Sequence, residues 1–263
     1  MSQLKVTAVQ SELFWEDVDA NLQKFEKLLT ALSQDTDVVI LPEMFTTGFT
    51  MNNKELWEDM NGQTVNWMKS IAKKGGFALC GSVIIKEGED VFNRMIWVTP
   101  DSELSYYDKR HLFSLAGEDK SYKAGSERII FQYKGWKICP LICYDLRFPE
   151  CSRNQEDYDL LIYVANWPDK RSNHWKALLK ARAIENQCYT VGVNRVGSDD
   201  NGHTYSGDSS ICKYDGTVLA EYSNEEVIFS SILSLGDLHS YRENFPFLSD
   251  QEILKNQLSP KTA

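Results

Sequence analysis

Apolar and polar positions along the chain follow two periods. Residues 4–10 alternate closely enough to predict a strand, whereas from Asp17 onward Val18, Leu22, Phe25, Leu29 and Leu32 recur at helical spacing and predict a helix facing a core. Residues 37–41 are nearly all apolar, which suits a strand covered on both faces, and the run stops at Pro42-Glu43. Residues 64–74, with Val65, Trp67, Met68 and Ile71, read as a helix ended by Gly75-Gly76, and 77–85 return as strand. Two further strands, 91–99 and 104–107, are joined at Pro100-Asp101 as a hairpin.

A polar, glycine-punctuated loop then runs from Asp108 to about Gly125, long enough to suggest a functional loop. Residues 129–133 and 136–143 form a second predicted hairpin, in which Pro140 calls for a bulge or an unpaired edge because it lacks a ladder donor. A helix opens at Pro149, 159–164 is a buried strand, and Ser172 is placed to cap a helix reaching about Gln187, with Trp175, Leu178 and Leu179 on one side. Residues 188–193 read as strand and the glycine- and aspartate-rich 197–207 as a loop. Short strands at 209–214, 217–222 and 227–233 precede a short helix and a polar tail. Strands alternating with helices, followed by a strand-rich stretch, predict an α/β layered fold with one or two mixed sheets.

Composition narrows the partners more than the fold. With 42% hydrophobic and 25% charged residues, the 263-residue chain is an ordinary globular protein, and no linker signal forces 1–263 into more than one domain. A net charge of -10 argues against nucleic acid or an anionic membrane surface as partner. No stretch approaches the roughly 18 apolar residues of a membrane span. The start, Met1-Ser2-Gln3-Leu4-Lys5, lacks the basic region and apolar segment of a signal peptide, so a cytoplasmic location is expected. Six cysteines without a C-x-x-C pair point to reduced thiols rather than a disulfide frame or zinc site, and neither metal nor cofactor is expected.

The chemistry gathers at three strand ends. Cys143 follows an apolar run and is followed at once by Tyr144-Asp145-Leu146-Arg147-Phe148-Pro149, so it sits at the mouth of a sheet beside a predicted helix N-terminus that would favour thiolate. By base rate a free cysteine is a small core residue, as Cys80, Cys139, Cys151, Cys188 and Cys212 are expected to be. Glu43 and Lys109 end two other strands, and in open α/β sheets reacting groups collect just beyond such ends. A carboxylate can take the thiol proton, while an ammonium and the backbone N–H of Tyr144 can stabilise the oxyanion formed when a thiolate attacks a carbonyl. A Cys–His pairing is the competing mechanism; of His111, His174, His203 and His239, the first two stand closest to strand-end loops.

Leu41-Pro42-Glu43-Met44-Phe45, Tyr107-Asp108-Lys109-Arg110-His111-Leu112-Phe113 and Cys143-Tyr144-Asp145-Leu146-Arg147-Phe148-Pro149 resemble, in order and spacing, the three catalytic blocks of the nitrilase superfamily. Asn166-Trp167-Pro168 and Ala181-Arg182-Ala183-Ile184-Glu185-Asn186-Gln187 extend the resemblance over nearly the whole chain. It implies one carbon-nitrogen hydrolase domain over 1–263, an αββα sandwich, and association through outer helices into an αββα–αββα homodimer. It also implies catalysis through a thioester. Residue by residue, Glu43 matches the general base, Lys109 the oxyanion-stabilising lysine and Cys143 the nucleophile. Glu118 matches a second glutamate placed beside the lysine.

Residues 163–168 with Arg171, Ser172, His174 and Trp175, together with 194–199, look most like the bacterial omega-amidases, which release ammonia from monoamides of dicarboxylic acids such as 2-oxoglutaramate. Such a substrate needs a cation for its distal carboxylate, for which Arg147 and Arg171 are candidates, with Phe45 and Trp167 as pocket walls. A structural ion pair of Arg147 with Asp145 or Glu150, and core packing of Phe45 and Trp167, are the competing readings of those residues. Nitrile or N-carbamoyl hydrolysis, a non-catalytic binding protein of the same fold, and a thiol redox protein are the rival functions.

Overall fold

The computed structural model describes residues 2–32 and 35–251. In chain order its strands are β1 (Gln3–Gln10), β2 (Val38–Ile40), β3 (Ala78–Glu87), β4 (Asp90–Val98), β5 (Leu104–Asp108), β6 (Phe131–Tyr133), β7 (Trp136–Ile142), β8 (Leu160–Ala165), β9 (Tyr189–Asn194), β10 (Val196–Ser198), β11 (Thr204–Cys212), β12 (Val218–Ser223) and β13 (Val227–Ser234). The helices are α1 (Val18–Thr30), α2 (Asn53–Leu56), α3 (Gln63–Gly75), α4 (Glu118–Ser121), α5 (Pro149–Ser152), α6 (Ser172–Asn186) and α7 (Leu235–Asn244). One sheet runs β13-β1-β2-β3-β4-β5 and the other β10-β11-β9-β8-β7-β6, with β12 paired to β11.

Alternation along the strands builds the layers. Leu4, Val6 and Ala8 of β1, Val38 and Ile40 of β2, and Ala78 and Cys80 of β3 share one apolar core with Ile138, Ile142 and Ile162 of the facing sheet. The opposite parity, Val9, Val39 and Leu79, packs against Leu22, Phe25 and Leu29 of α1 and Val65, Met68 and Ile71 of α3. Both faces of β2 are therefore dry, which is why its sequence is an unbroken apolar run. On the far side Trp175 and Leu179 of α6 are fully buried against the second sheet. Helix, sheet, sheet, helix is the αββα sandwich.

Parallel pairing of β1 with β2 and β2 with β3, and of β7 with β8 and β8 with β9, brings strand ends together at one edge of the sandwich. Cys143 directly follows β7, Asn166 follows β8 and Lys109 follows β5, while Glu43 stands three residues past β2. Asp17 caps α1 by accepting the Ala20 N–H (3.0 Å), and Gly76 ends α3 at φ 70°, a backbone conformation that favours glycine.

Several expectations are corrected. The helix at Pro149 is a single turn, preceded by a 3-10 segment over Cys143–Arg147. The supposed loop 197–207 is largely a hairpin of β10 and β11. Ser172 does not cap α6; Arg171 holds that position and the Ser172 hydroxyl donates to Asp208 (2.7 Å). Pro140 sits inside β7, paired with Ile162 of β8, but β6 ends its pairing at Ile138, so the proline has a strand on one flank only. The polar tail from 252 onward lies outside the described residues.

The close approach of α6 to β9 supplies a test. A Cβ at Gly192 would run into the side chains of Leu179 and Trp175. Gly192→Ala should lower unfolding stability by about 1–3 kcal/mol in urea titration through overpacking of the helix–sheet interface.

Candidate active site

Three charged side chains with no solvent exposure form the floor of the site: Glu43, Lys109 and Glu118. Lys109 Nζ donates to Glu43 Oε1 at 2.9 Å and to both Glu118 oxygens at 2.9 and 3.0 Å. Asn93 Nδ2 donates to Glu43 Oε1 (2.8 Å) and Glu118 Oε1 (3.3 Å), the Asn166 main-chain N–H to Glu43 Oε2 (2.8 Å), and the Phe113 N–H to Glu118 Oε2 (2.5 Å). Burial works against the charge on Lys109, but Glu118 and Glu43 override it and raise its pKa above the ordinary lysine value. Burial also raises the pKa of Glu118, with Lys109 opposing and Glu43 adding to the rise. The phenyl ring of Phe49 lies 5.1 Å from the ammonium.

Cys143 begins the 3-10 segment at φ 43°, and Met44, next to Glu43, sits at φ 42°. Such left-handed conformations are uncommon for residues with a side chain and are held by their surroundings. Ser82 Oγ accepts the Met44 N–H (2.8 Å). Asp145, fully buried, accepts from the Ile142 N–H (3.0 Å), the Tyr107 hydroxyl (2.8 Å) and the His111 N–H (2.9 Å), tying the turn after Cys143 to the strand that ends at Lys109. Burial pushes the Cys143 thiol well above its ordinary range, Glu43 pushes it further, and Lys109 only partly compensates. The helix after Cys143 is a single turn and so lends little of the expected N-terminal support to a thiolate, while burial first and Glu43 second favour the thiol.

A cavity of about 620 Å³ opens above these groups, lined by Lys109, Cys143, Tyr144, Arg147, Trp167 and Arg171, with Asn166, Asp199, His203 and Tyr205 among the remaining walls. Arg147 does not pair with Asp145 or Glu150: its guanidinium lies 4.6 Å from the Trp167 ring and 3.3 Å from His174 Nδ1. Burial and then Arg171 lower its pKa, as expected for a cation facing another cation. The Arg171 guanidinium is 5.5 Å from the Phe113 ring. Trp167 is nearly buried and also contributes its face to the cavity. Phe45 is not a pocket wall; it is fully buried between Phe25 and Trp67, at 5.5 and 5.9 Å between ring centroids.

His111 stacks on Phe148 (3.9 Å) and is held by Asp145, and His174 meets Arg147; neither lines the cavity, whereas His203, in the predicted loop 197–207, does. His111, Asp145 and Cys151 bring ligand-type atoms within 4.8 Å of one another. The Asp145 oxygens are already taken by internal donors, and burial pushes the Cys151 thiol up to about 12, so this trio serves packing. Asn93 and Asn166 were not anticipated. The signal for Asn93 is an amide beside Arg94 in a strand that is apolar on either side of the pair; Asn166 is visible only as part of Asn166-Trp167-Pro168.

A family model described as carbon-nitrogen hydrolase matches residues 5–243. The chain belongs to the carbon-nitrogen hydrolase family. Among its relatives, omega-amidase YafV of Yersinia enterocolitica is 47% identical over 255 residues, covering 96% of this chain and 98% of that protein. The 2-oxoglutaramate amidase of Bacillus subtilis is 36% identical over 250 residues, covering 93% and 96%. Among solved structures, XC1258 from Xanthomonas campestris, a CN-hydrolase superfamily protein with an arsenic adduct in its active site, matches with a TM-score of 0.94 at 42% identity over 96% of this chain and 98% of that one.

The raised thiol pKa carries a prediction within this carbon-nitrogen hydrolase site. Of the six cysteines Cys143 alone is partly exposed, at the floor of the cavity, whereas the other five are buried, so alkylation reports on it selectively. Iodoacetamide should react with Cys143 in the free protein more slowly at neutral pH than with free cysteine, and the rate should keep rising with pH beyond the point where a free thiol levels off, at about 8.5.

Proposed function

We propose that the protein is an omega-amidase-like hydrolase that releases ammonia from the terminal amide of small dicarboxylic acid monoamides of the 2-oxoglutaramate kind. One observation carries the reading. A fully buried Glu43–Lys109–Glu118 cluster meets Cys143 at the floor of a cavity whose wall holds Arg147 and Arg171, neither of them in an ion pair among the described residues. The names of the two relatives point the same way.

In this reading the substrate's distal carboxylate is fixed by Arg147 and Arg171, a local positive site on a chain of net charge -10. Trp167 braces Arg147, and the terminal amide reaches Cys143. Glu43 takes the thiol proton as the sulfur attacks the amide carbon, so the thiolate exists only when an electrophile is in place. Lys109, held charged by two carboxylates, stabilises the oxyanion together with the Tyr144 N–H. Glu118 fixes the ammonium so that it acts as a charge and does not itself give up the proton. The amide nitrogen leaves as ammonia after protonation by Glu43, and the same carboxylate then activates the water that hydrolyses the Cys143 thioester.

No described helix is long and apolar enough to cross a membrane. We place the enzyme in the cytoplasm, without nucleic-acid or membrane partners, and as a homodimer through its outer helices, where Ile184 of α6 is half exposed. Light scattering on a sizing column would show a monomer if that assembly is wrong.

Ammonia release should be fastest from 2-oxoglutaramate or glutaramate, slower from glutamine, and slowest from nitriles and N-carbamoyl compounds; fastest release from a nitrile would overturn the assignment. Cys143→Ser should lower turnover by roughly 10³-fold or more. Arg147→Ala and Arg171→Ala should each raise KM for a monoamide acid about 10-fold or more, as loss of a hydrogen bond to a charged group does, while changing hydrolysis of an uncharged amide such as butyramide little.

A further inference from the structure

β4 is apolar through Met95, Ile96, Trp97 and Val98, yet Asn93 lies fully buried in the same strand. Its side-chain Nδ2 bridges Glu43 Oε1 and Glu118 Oε1, the same two oxygens that Lys109 Nζ bridges. Its main-chain carbonyl accepts the Lys109 N–H at 3.0 Å. Asn93 therefore touches all three charged members of the floor without lining the cavity. Its own Oδ1 has no hydrogen-bond partner among the described residues. An unsatisfied buried acceptor destabilises a fold, so the residue is not explained by packing.

We propose that Asn93 is a positioning residue for the Glu43 proton-transfer step. Two carboxylates and one ammonium leave an excess negative charge in a dry site, and a neutral amide with two N–H donors supports both carboxylates without adding charge of either sign. Aspartate, of the same size, would bring a third carboxylate. Glu43 Oε1, receiving Lys109 and Asn93, has its acceptor sites filled; Oε2 receives only the Asn166 N–H and keeps one free. Asn93 thus directs the thiol proton to Oε2.

This inference rests on the roles given to Glu43 and Cys143 above, and the test separates the two. Asn93→Ala, Asn93→Ser and Asn93→Asp are compared with the parent enzyme and with Cys143→Ala, on 2-oxoglutaramate, by kcat, KM and the pH profile of kcat/KM, with thermal melting alongside. Asn93→Ala should lower kcat roughly 10–100-fold, the range expected for a lost hydrogen bond to a charged group, with KM changed less than about threefold. Removing a donor to the charged carboxylates favours their protonation, so the acid limb should move up by about one pH unit in Asn93→Ala, further in Asn93→Asp, and less in Asn93→Ser, which keeps a hydroxyl donor. If Asn93→Ala or Asn93→Asp does not fold, the Asn93→Ser profile carries the test. An acid limb that stays at the parent pH in every folded variant overturns the positioning role, whatever kcat does. Turnover retained by Cys143→Ala would overturn the thioester reading itself.

Discussion

The ion cluster of Glu43, Lys109 and Glu118 is the constraint on which the rest of the molecule depends. Burying three charges is costly, and the attraction between them offsets that cost only with short, well-directed hydrogen bonds and further donors on the remaining lone pairs. The sandwich meets that demand. Glu43 comes from the end of a parallel strand, Lys109 from the end of a meander strand in the same sheet and Glu118 from a one-turn helix, while Asn93 and Asn166 supply donors from two sheets. Removing one partner would leave a buried charge without its counter-charge, so the cluster and the sheet edge that carries it stand or fall together.

The cluster also sets the electrostatics of the nucleophile. Burial first and Glu43 second raise the thiol pKa, and the Lys109 ammonium offsets this only in part. In the proposed reaction that arrangement leaves the proton for Glu43 to take as the sulfur attacks, and a thiol is less open to alkylation and oxidation than a thiolate. Opposite it, two arginines face a common cavity without acidic partners among the described residues, a repulsive arrangement that an anionic ligand relieves.

Much of this was legible along the chain because strands buried on both faces and abrupt polar stops leave plain patterns. The apolar run into Cys143, the stop at Pro42-Glu43 and the end of the strand before Lys109 marked Cys143 and two members of the floor, and the layered fold followed from the alternation of periods. What escaped notice depends on contacts far apart in sequence. β13 joins β1 across more than two hundred residues, which no local pattern reports. Phe45, two residues past Glu43, lies in the turn after β2 and packs into the helix-side core, which its sequence position beside the site does not reveal. Likewise the helix expected after Cys143 is a single turn, because a short turn and a longer helix open on the same residues. Asn93 was overlooked because it lies in a strand interior, where attention goes to packing.

The account's central claim is that amide hydrolysis proceeds through acyl transfer to Cys143. Acid quenching of the enzyme during turnover of 2-oxoglutaramate, followed by mass spectrometry of the intact chain and of the peptide that holds Cys143, addresses it directly. A mass increase equal to the acyl group, lost on treatment with hydroxylamine and located on Cys143, is the predicted result. Substrate consumed with no adduct at any quench time, or an adduct on a different residue, would contradict the account.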